Sequence, residues 1–253
     1  MKLKTVRVRR SNPSALALSL AMMLTMLCVY LISLSALPEK EISTASGHQT
    51  ASAEVHMEGL ETAFLVHART SNQLEARVLA ARCAKNGGAG LILSHGGAYC
   101  VISDAVPAEN AGSEDLVLRT DGLTLKLTGV ADEISAISDS IAFLRALAAE
   151  TGGLASAVED GDTDLPSVCS LLNVYRTQGR KALDALNEIA APDAAIRRLC
   201  SAVQSSLTRI DSAIAEPDTG KIKLIHAAAC GEWISILEDF VAEEAISPVT
   251  SVF

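Results

Sequence analysis

Apolar positions fall along the chain in three different rhythms. From Ser14 to Leu37 they are almost continuous, and SALALSLAMMLTMLCVYLISLSAL holds twenty-four residues without a charge. A helix needs about 20 such residues to cross roughly 30 Å of hydrocarbon, so residues 14–37 read as a transmembrane helix. Pro13 fits its first turn, and Pro38 with Glu39, Lys40 and Glu41 marks its exit. A cleaved signal peptide is the competing reading, with a small-x-small site at Ser33-Leu34-Ser35. Signal cores are shorter, about 7–15 residues. Residues 38–58, PEKEISTASGHQTASAEVHME, have little to bury and read as a flexible linker.

The second rhythm covers residues 59–129, where short apolar runs are bounded by turn residues. TAFLVHA, from Thr62 to Ala68, is a strand candidate. Ser71-Asn72-Gln73 offers a helix start, and LEARVLAARCAKN follows to Asn86, with Leu74, Val78, Ala81 and Cys83 read as one apolar stripe. Gly87-Gly88 ends it. GLIL and YCVI are two short strands joined by a turn at His95-Gly96-Gly97. Asp115 to Leu118 and Leu123 to Leu127 predict two more, with Thr120-Asp121-Gly122 as the hairpin turn between them.

The third rhythm is helical, over residues 130–253. Ile134, Ile137, Ile141, Leu144 and Leu147 recur at three and four residues between Ala131 and Glu150. Asp164 begins a second helix running to Gln178, and Lys181 to Ala190 either continues it or forms a separate turn. Pro192 fits the start of a third, closed by Glu216-Pro217-Asp218, and Ile222 to Ala245 is the last. Each has an apolar stripe to bury, so an antiparallel bundle is expected.

Charge adds a direction. Lys2, Lys4, Arg7, Arg9 and Arg10 precede the apolar run, and all thirty acids follow residue 37. The positive-inside tendency places residues 1–13 in the cytoplasm as a basic tail and the bulk outside the cell. The acidic part would repel a phosphate backbone, so nucleic acid is not an expected partner. Cys28 falls in the apolar run. The other five, Cys83, Cys100, Cys169, Cys200 and Cys230, show no CxxC spacing. They read as buried free thiols, with Cys83–Cys100 as the first candidate if any pair forms.

The stretches LVHARTSNQLEARVLAARCAKNGGAGLIL and AYCVI resemble the first half of a SPOR domain, the sporulation-related repeat of cell-wall proteins, with Tyr99 and Val101 on the family's Tyr and Val and His67 near its Gln. Cys100 stands where the family has Arg, and VPAENAGSED is short for its second helix. The resemblance implies an α+β chain: one transmembrane helix, a SPOR-like βαββ(α)β unit, then an antiparallel α-helical bundle. It also implies a non-catalytic, single-pass cell-membrane protein that binds peptidoglycan glycan strands in sporulation or cell division. The alternative is a protein-binding scaffold of the cell envelope without glycan binding. His67, Arg69, His95, Tyr99 and Arg119 would supply the glycan-binding face, unless Tyr99 packs against the helix and the rest are solvated.

Catalytic signals are sparse. His67, His95, Cys83 and Cys100 share one small unit, but nothing in the sequence fixes a Cys–His pair. Gly87-Gly88-Ala89-Gly90 follows a helix and lacks the phosphate-loop lysine. Asp160, Asp162 and Asp164 alternate but lack the acid that completes a calcium loop, and read as a solvated interhelix loop. No cofactor and no metal are expected.

Overall fold

The computed structural model describes residues 50–190 and 192–246. Six strands come first: β1 (Thr50–Met57), β2 (Leu60–Thr70), β3 (Leu91–His95), β4 (Ala98–Pro107), β5 (Leu116–Thr120) and β6 (Leu123–Val130). Helix α1 (Gln73–Lys85) lies between β2 and β3. Five helices follow: α2 (Ala131–Glu150), α3 (Leu154–Glu159), α4 (Leu165–Asn187), α5 (Ala194–Ala215) and α6 (Thr219–Ile246). The fold is α+β, a curled half-barrel sheet with a helical bundle.

The sheet is organised by one long two-stranded ribbon. β1 pairs with β6 from Thr50↔Val130 to Met57↔Leu123, and β2 pairs with β5 from Leu60↔Thr120 to Phe64↔Leu116. Both ladders are antiparallel and share one register, so they are a single ribbon interrupted at Glu58-Gly59 and Asp121-Gly122. The glycines permit a close approach there. A Cβ on Gly59 would lie 2.4 Å from the Thr120 carbonyl oxygen, and one on Gly122 would lie 2.7 Å from that of Met57. Thr120-Asp121-Gly122 is therefore a kink within a continuing edge, not the predicted hairpin turn.

The partner that makes this possible is β1, which the sequence places in a linker. Ala51, Ala53, Val55 and Met57 do alternate with exposed Ser52, Glu54 and His56. Alanine supplies half of the inward positions, so the period-2 signal is faint.

The four-stranded part has the order β3-β4-β2-β5. Two irregularities face each other in the β2/β4 ladder, where Leu65 pairs with Asp104, Val66 with Ile102 and Ala68 with Val101. Ser103 is thus extra on β4 and His67 extra on β2. The side chains follow. Ile102 and Ala105, three apart, join the same core, whereas Val66 and Ala68, two apart, join different ones. Bulges re-aim side chains in this way.

Both faces of this sheet are covered. Val101, Tyr99, Ile92 and Ala68 pack under α1 with Ala76, Ala80 and Cys83. Phe64, Cys100, Ile102, Leu91 and Leu93 join the main core with the helices. That core is continuous from Met57 on the ribbon to Leu237 on α6. Cys83 and Cys100 are free thiols on opposite faces, so the candidate disulfide does not form.

Helix α1 starts where expected, with the Asn72 side chain accepting from Leu74 N at 2.9 Å and Glu75 N at 3.3 Å. Its face is not the expected one. At about 100° per residue Cys83 lies half a turn from Leu74, and the buried side is Ala76, Ala80 and Cys83. Leu74 and Val78 point outward, 70% and 62% exposed. Small side chains let the helix sit close on the sheet, and the larger stripe faces away.

In the bundle, α4 continues through Lys181 to Asn187, which closes the alternative of a separate turn. Asp193, next to Pro192, caps α5 by accepting from Ile196 N at 2.8 Å. Gly179 on α4 marks a close crossing. A Cβ there would meet Phe143 Cζ at 2.7 Å and Leu207 Cδ2 at 3.0 Å. Helix α6 is buried almost all round, from Ile222 to Leu237, because it lies between the sheet and the other helices. Its Trp233 Nε1 donates to Glu58 O at 3.1 Å, and the Glu58 carboxylate pairs with Arg145 at 2.6 Å. The ribbon's kink is thus fastened from both the central helix and α2.

The expected architecture is corrected in the sheet unit and in its membrane placement. The second helix of a βαββ(α)β unit is replaced by a single 3-10 turn, Ala108–Asn110, because VPAENAGSED is too short for more. The predicted span at 14–37 lies outside the described residues. Among the described residues, no helix is long and apolar enough to cross a membrane. The single-pass topology, the bilayer as a partner and the cell-membrane location are corrected on that finding.

Candidate functional site

The five residues expected to form a glycan-binding face are spread over the sheet. His67 occupies the β2 bulge and is exposed. Arg69 Nη2 donates to Glu114 O at 2.7 Å. His95 flanks the Gly96-Gly97 turn on edge strand β3, and Arg119 lies on the other edge, β5, 3.8 Å from Glu61. With strands about 4.8 Å apart, the two edges are three spacings from each other. Tyr99, which would be the stacking platform, is packed beneath α1. The residues do not converge, because β-strand alternation and the His67 bulge send them in different directions.

The bulges build a different feature. A shallow cleft of about 280 Å³ opens there, lined by Leu65, His67, Cys83, Gly88, Ser103 and Lys223 among others. Three successive amides of its glycine turn are already engaged. Gly87 N donates to Ala84 O, Gly88 N to Cys83 O, and Ala89 N to Ser103 O at 2.7 Å. A phosphate cradle needs free N–H groups, so these residues serve the turn itself.

Lys223 is the cleft's cation. Its Nζ lies 2.8 Å from Glu159 and 3.6 Å from Asp104. Burial works against its charge, but the Glu159 hydrogen bond and the two carboxylates outweigh that and raise its pKa above the ordinary lysine value. It is therefore held protonated, as a clamp joining α6, β4 and the end of α3, and not as a nucleophile.

Two turns further along α6, Cys230 Sγ lies 3.8 Å from His226 Nε2. Burial pushes the Cys230 thiol up to about 12. Burial also lowers the His226 pKa below 6.5, against the pull of Asp104. Both groups are neutral near pH 7, whereas a reactive thiolate needs a flanking cation. The pair is a packing contact, closed by Thr151 Oγ1 at 3.3 Å from Nδ1 and by Gly152, whose Cβ would meet the ring at 2.9 Å.

His226 predicts a pH response. A histidine held neutral in the fold and free to charge when unfolded makes the unfolded chain bind more protons below pH 6.5. Its contribution is fully present above that value and is lost as the pH falls toward the folded pKa. The urea midpoint should drop on acidification from pH 6.5, and His226→Gln should flatten that part of the curve. An unchanged slope in the variant would assign the effect to other groups.

The acidic loop also resolves structurally. Asp164 caps α4, accepting from Ser167 N at 2.8 Å, and hydrogen bonds from Ser167 lower its pKa. Among the described residues, no group of three or more His, Cys, Asp or Glu could hold a metal ion.

The feature that sequence reasoning missed is the outer face of α1. Leu74 and Val78 are the most exposed large apolar side chains among the described residues. Exposed Arg77, Arg82 and Lys85 surround them. Within 4.0 Å none of the three has an acidic partner among the described residues. A basic, apolar helix face therefore stands on a chain whose net charge is -9. The signal was available in the small-residue spacing of Ala76, Ala80 and Cys83, which favours close packing on a sheet.

Compared with protein-family models, curated proteins and solved structures, the chain matches none. With no match found, the SPOR assignment is overturned, and so are the peptidoglycan partner, the envelope-protein scaffold and the sporulation or division role built on it; the second helix is absent as well, and Tyr99 is half-buried against α1.

Proposed function

We propose that the described unit works by non-catalytic contact with a protein, through the outward stripe of α1. The observation that carries this is the inversion of the helix, which covers its small residues and leaves Leu74 and Val78 in water. Covering them recovers roughly 25 cal/mol per Å² of apolar surface, and Arg77, Arg82 and Lys85 select an acidic rim. Grouped apolar exposure ringed by charge is the usual mark of an interaction surface. The non-catalytic part is supported by the state of the candidate reactive groups, since the Cys230–His226 pair is neutral and Lys223 is locked between two carboxylates.

A photoreactive amino acid placed at Leu74 or at Val78 of the full chain, in the cells that make it, tests this. Covalent adducts are expected from both positions and not from Ser170 or Thr177 on α4, which are also exposed. Leu74→Gln with Val78→Gln should remove an adduct formed from a probe at Ala81, at a stability cost near 0.5 kcal/mol per surface site. Equal labelling from α1 and α4 would refute the assignment.

A further inference from the structure

We infer that the partner of the α1 stripe is a second copy of this chain, which receives it in an acidic cleft beside β5. The inference rests on the reading of α1 as a contact surface. The cleft has a volume of about 390 Å³ and is lined by Glu61, Pro107, Ala108, Glu109 and Val117. Val117 is 45% exposed. The surface thus combines apolar Pro107, Ala108 and Val117 with acidic Glu61 and Glu109, opposite in charge to Leu74 and Val78 among Arg77, Arg82 and Lys85. Glu61 already shares its charge with Arg119 at 3.8 Å, a loose and exposed pair, which leaves Glu109 as the stronger attraction.

Charge supports a copy of the chain as the occupant. The α1 segment carries Arg77, Arg82 and Lys85 against Glu75, on a molecule whose net charge is -9. At contact this island meets Glu61 and Glu109 on another copy at short range, where pairing of unlike charges outweighs the salt-screened repulsion between the two net-acidic bodies. Geometry forbids self-occupation. Thr70 pairs with Tyr99, so α1 starts at that end of β4, while the cleft opens at Pro107. Eight residues of strand separate that end, where Leu74 lies, from the cleft, about 26 Å. Each copy therefore offers one knob and one socket on different surfaces. Contacts of that kind repeat head to tail, closing a ring or extending an open chain.

The test uses the full chain with the photoprobe at Leu74. The expected adduct has twice the chain mass, and its cross-linked peptide contains Pro107 to Val117. Glu61→Lys with Glu109→Lys should lower its yield roughly tenfold, as should Arg77→Glu with Arg82→Glu. Mixing copies that carry one pair with copies that carry the other should restore it, which separates complementarity from misfolding. An adduct with a different protein, a self-adduct mapped elsewhere, or reversals that fail to rescue would overturn the second-copy inference and leave the α1 surface standing. No adduct at all would overturn both.

Discussion

Replacing Trp233 with alanine should cost about 3–5 kcal/mol of folding stability. The indole is 2% exposed and sits in the main core, where helix α6 meets the ribbon. Its Nε1–H satisfies the Glu58 carbonyl at 3.1 Å, at the kink between β1 and β2. Truncation leaves a cavity and an unpaired carbonyl together, and domains of this size have only about 5–15 kcal/mol to lose. Trp233→Phe keeps most of the packing and gives up the hydrogen bond, so about 1 kcal/mol is expected. Because Trp233 is the only tryptophan, far-ultraviolet circular dichroism in urea is the suitable measurement. Midpoints that coincide for the two variants would show that the hydrogen bond, and not the indole's volume, is what matters.

Gly59→Val should be comparably damaging for a different reason. The first atom of any side chain there would lie 2.4 Å from the Thr120 carbonyl oxygen. Both partners are backbone, so neither can rotate away, and the ribbon must part at its kink. A loss of about 2–4 kcal/mol is expected, at the upper end of overpacking costs. Gly96→Ala provides the contrast. Its Cβ would meet nothing within 4 Å, and only its φ of +58° opposes a side chain, at about 1 kcal/mol. The same urea series measures all three chains. Equal costs at Gly59 and Gly96 would remove the close approach as an explanation.

Much of the fold was legible because local chemistry and tertiary packing agree. Asn72 caps α1, Gly96-Gly97 turns the β3–β4 hairpin, Asp164 starts α4, and the three- and four-residue spacing of Ile134 to Leu147 turns inward as read, with Ile137 half-buried. The errors arose where a partner distant in sequence decides the outcome. Asp121-Gly122 has the chemistry of a turn, yet the presence of β1 alongside turns it into a crossing point. β1 itself is built on alanines, too small to register as a buried face. Leu74, Val78 and Ala81 look like a core stripe, but the sheet accepts the smaller side chains opposite. The residues expected on a glycan-binding face lie apart for a related reason. His67 is displaced by a bulge that no residue type announces, and Tyr99 is half-buried against the helix that precedes it. The twenty-four-residue apolar run remains a property of the sequence alone, since residues 14–37 lie outside the described residues.

The ribbon has a consequence for the order of events during synthesis. Thr50 emerges from the ribosome about 80 residues before Val130, the residue it must find. For that interval β1 has no edge to join. A strand of valines and isoleucines left waiting would invite association with any passing chain, whereas Ala51, Ala53 and Glu54 give strangers little to hold. The weak apolar pattern that hides β1 from inspection also protects the nascent chain until its mate arrives.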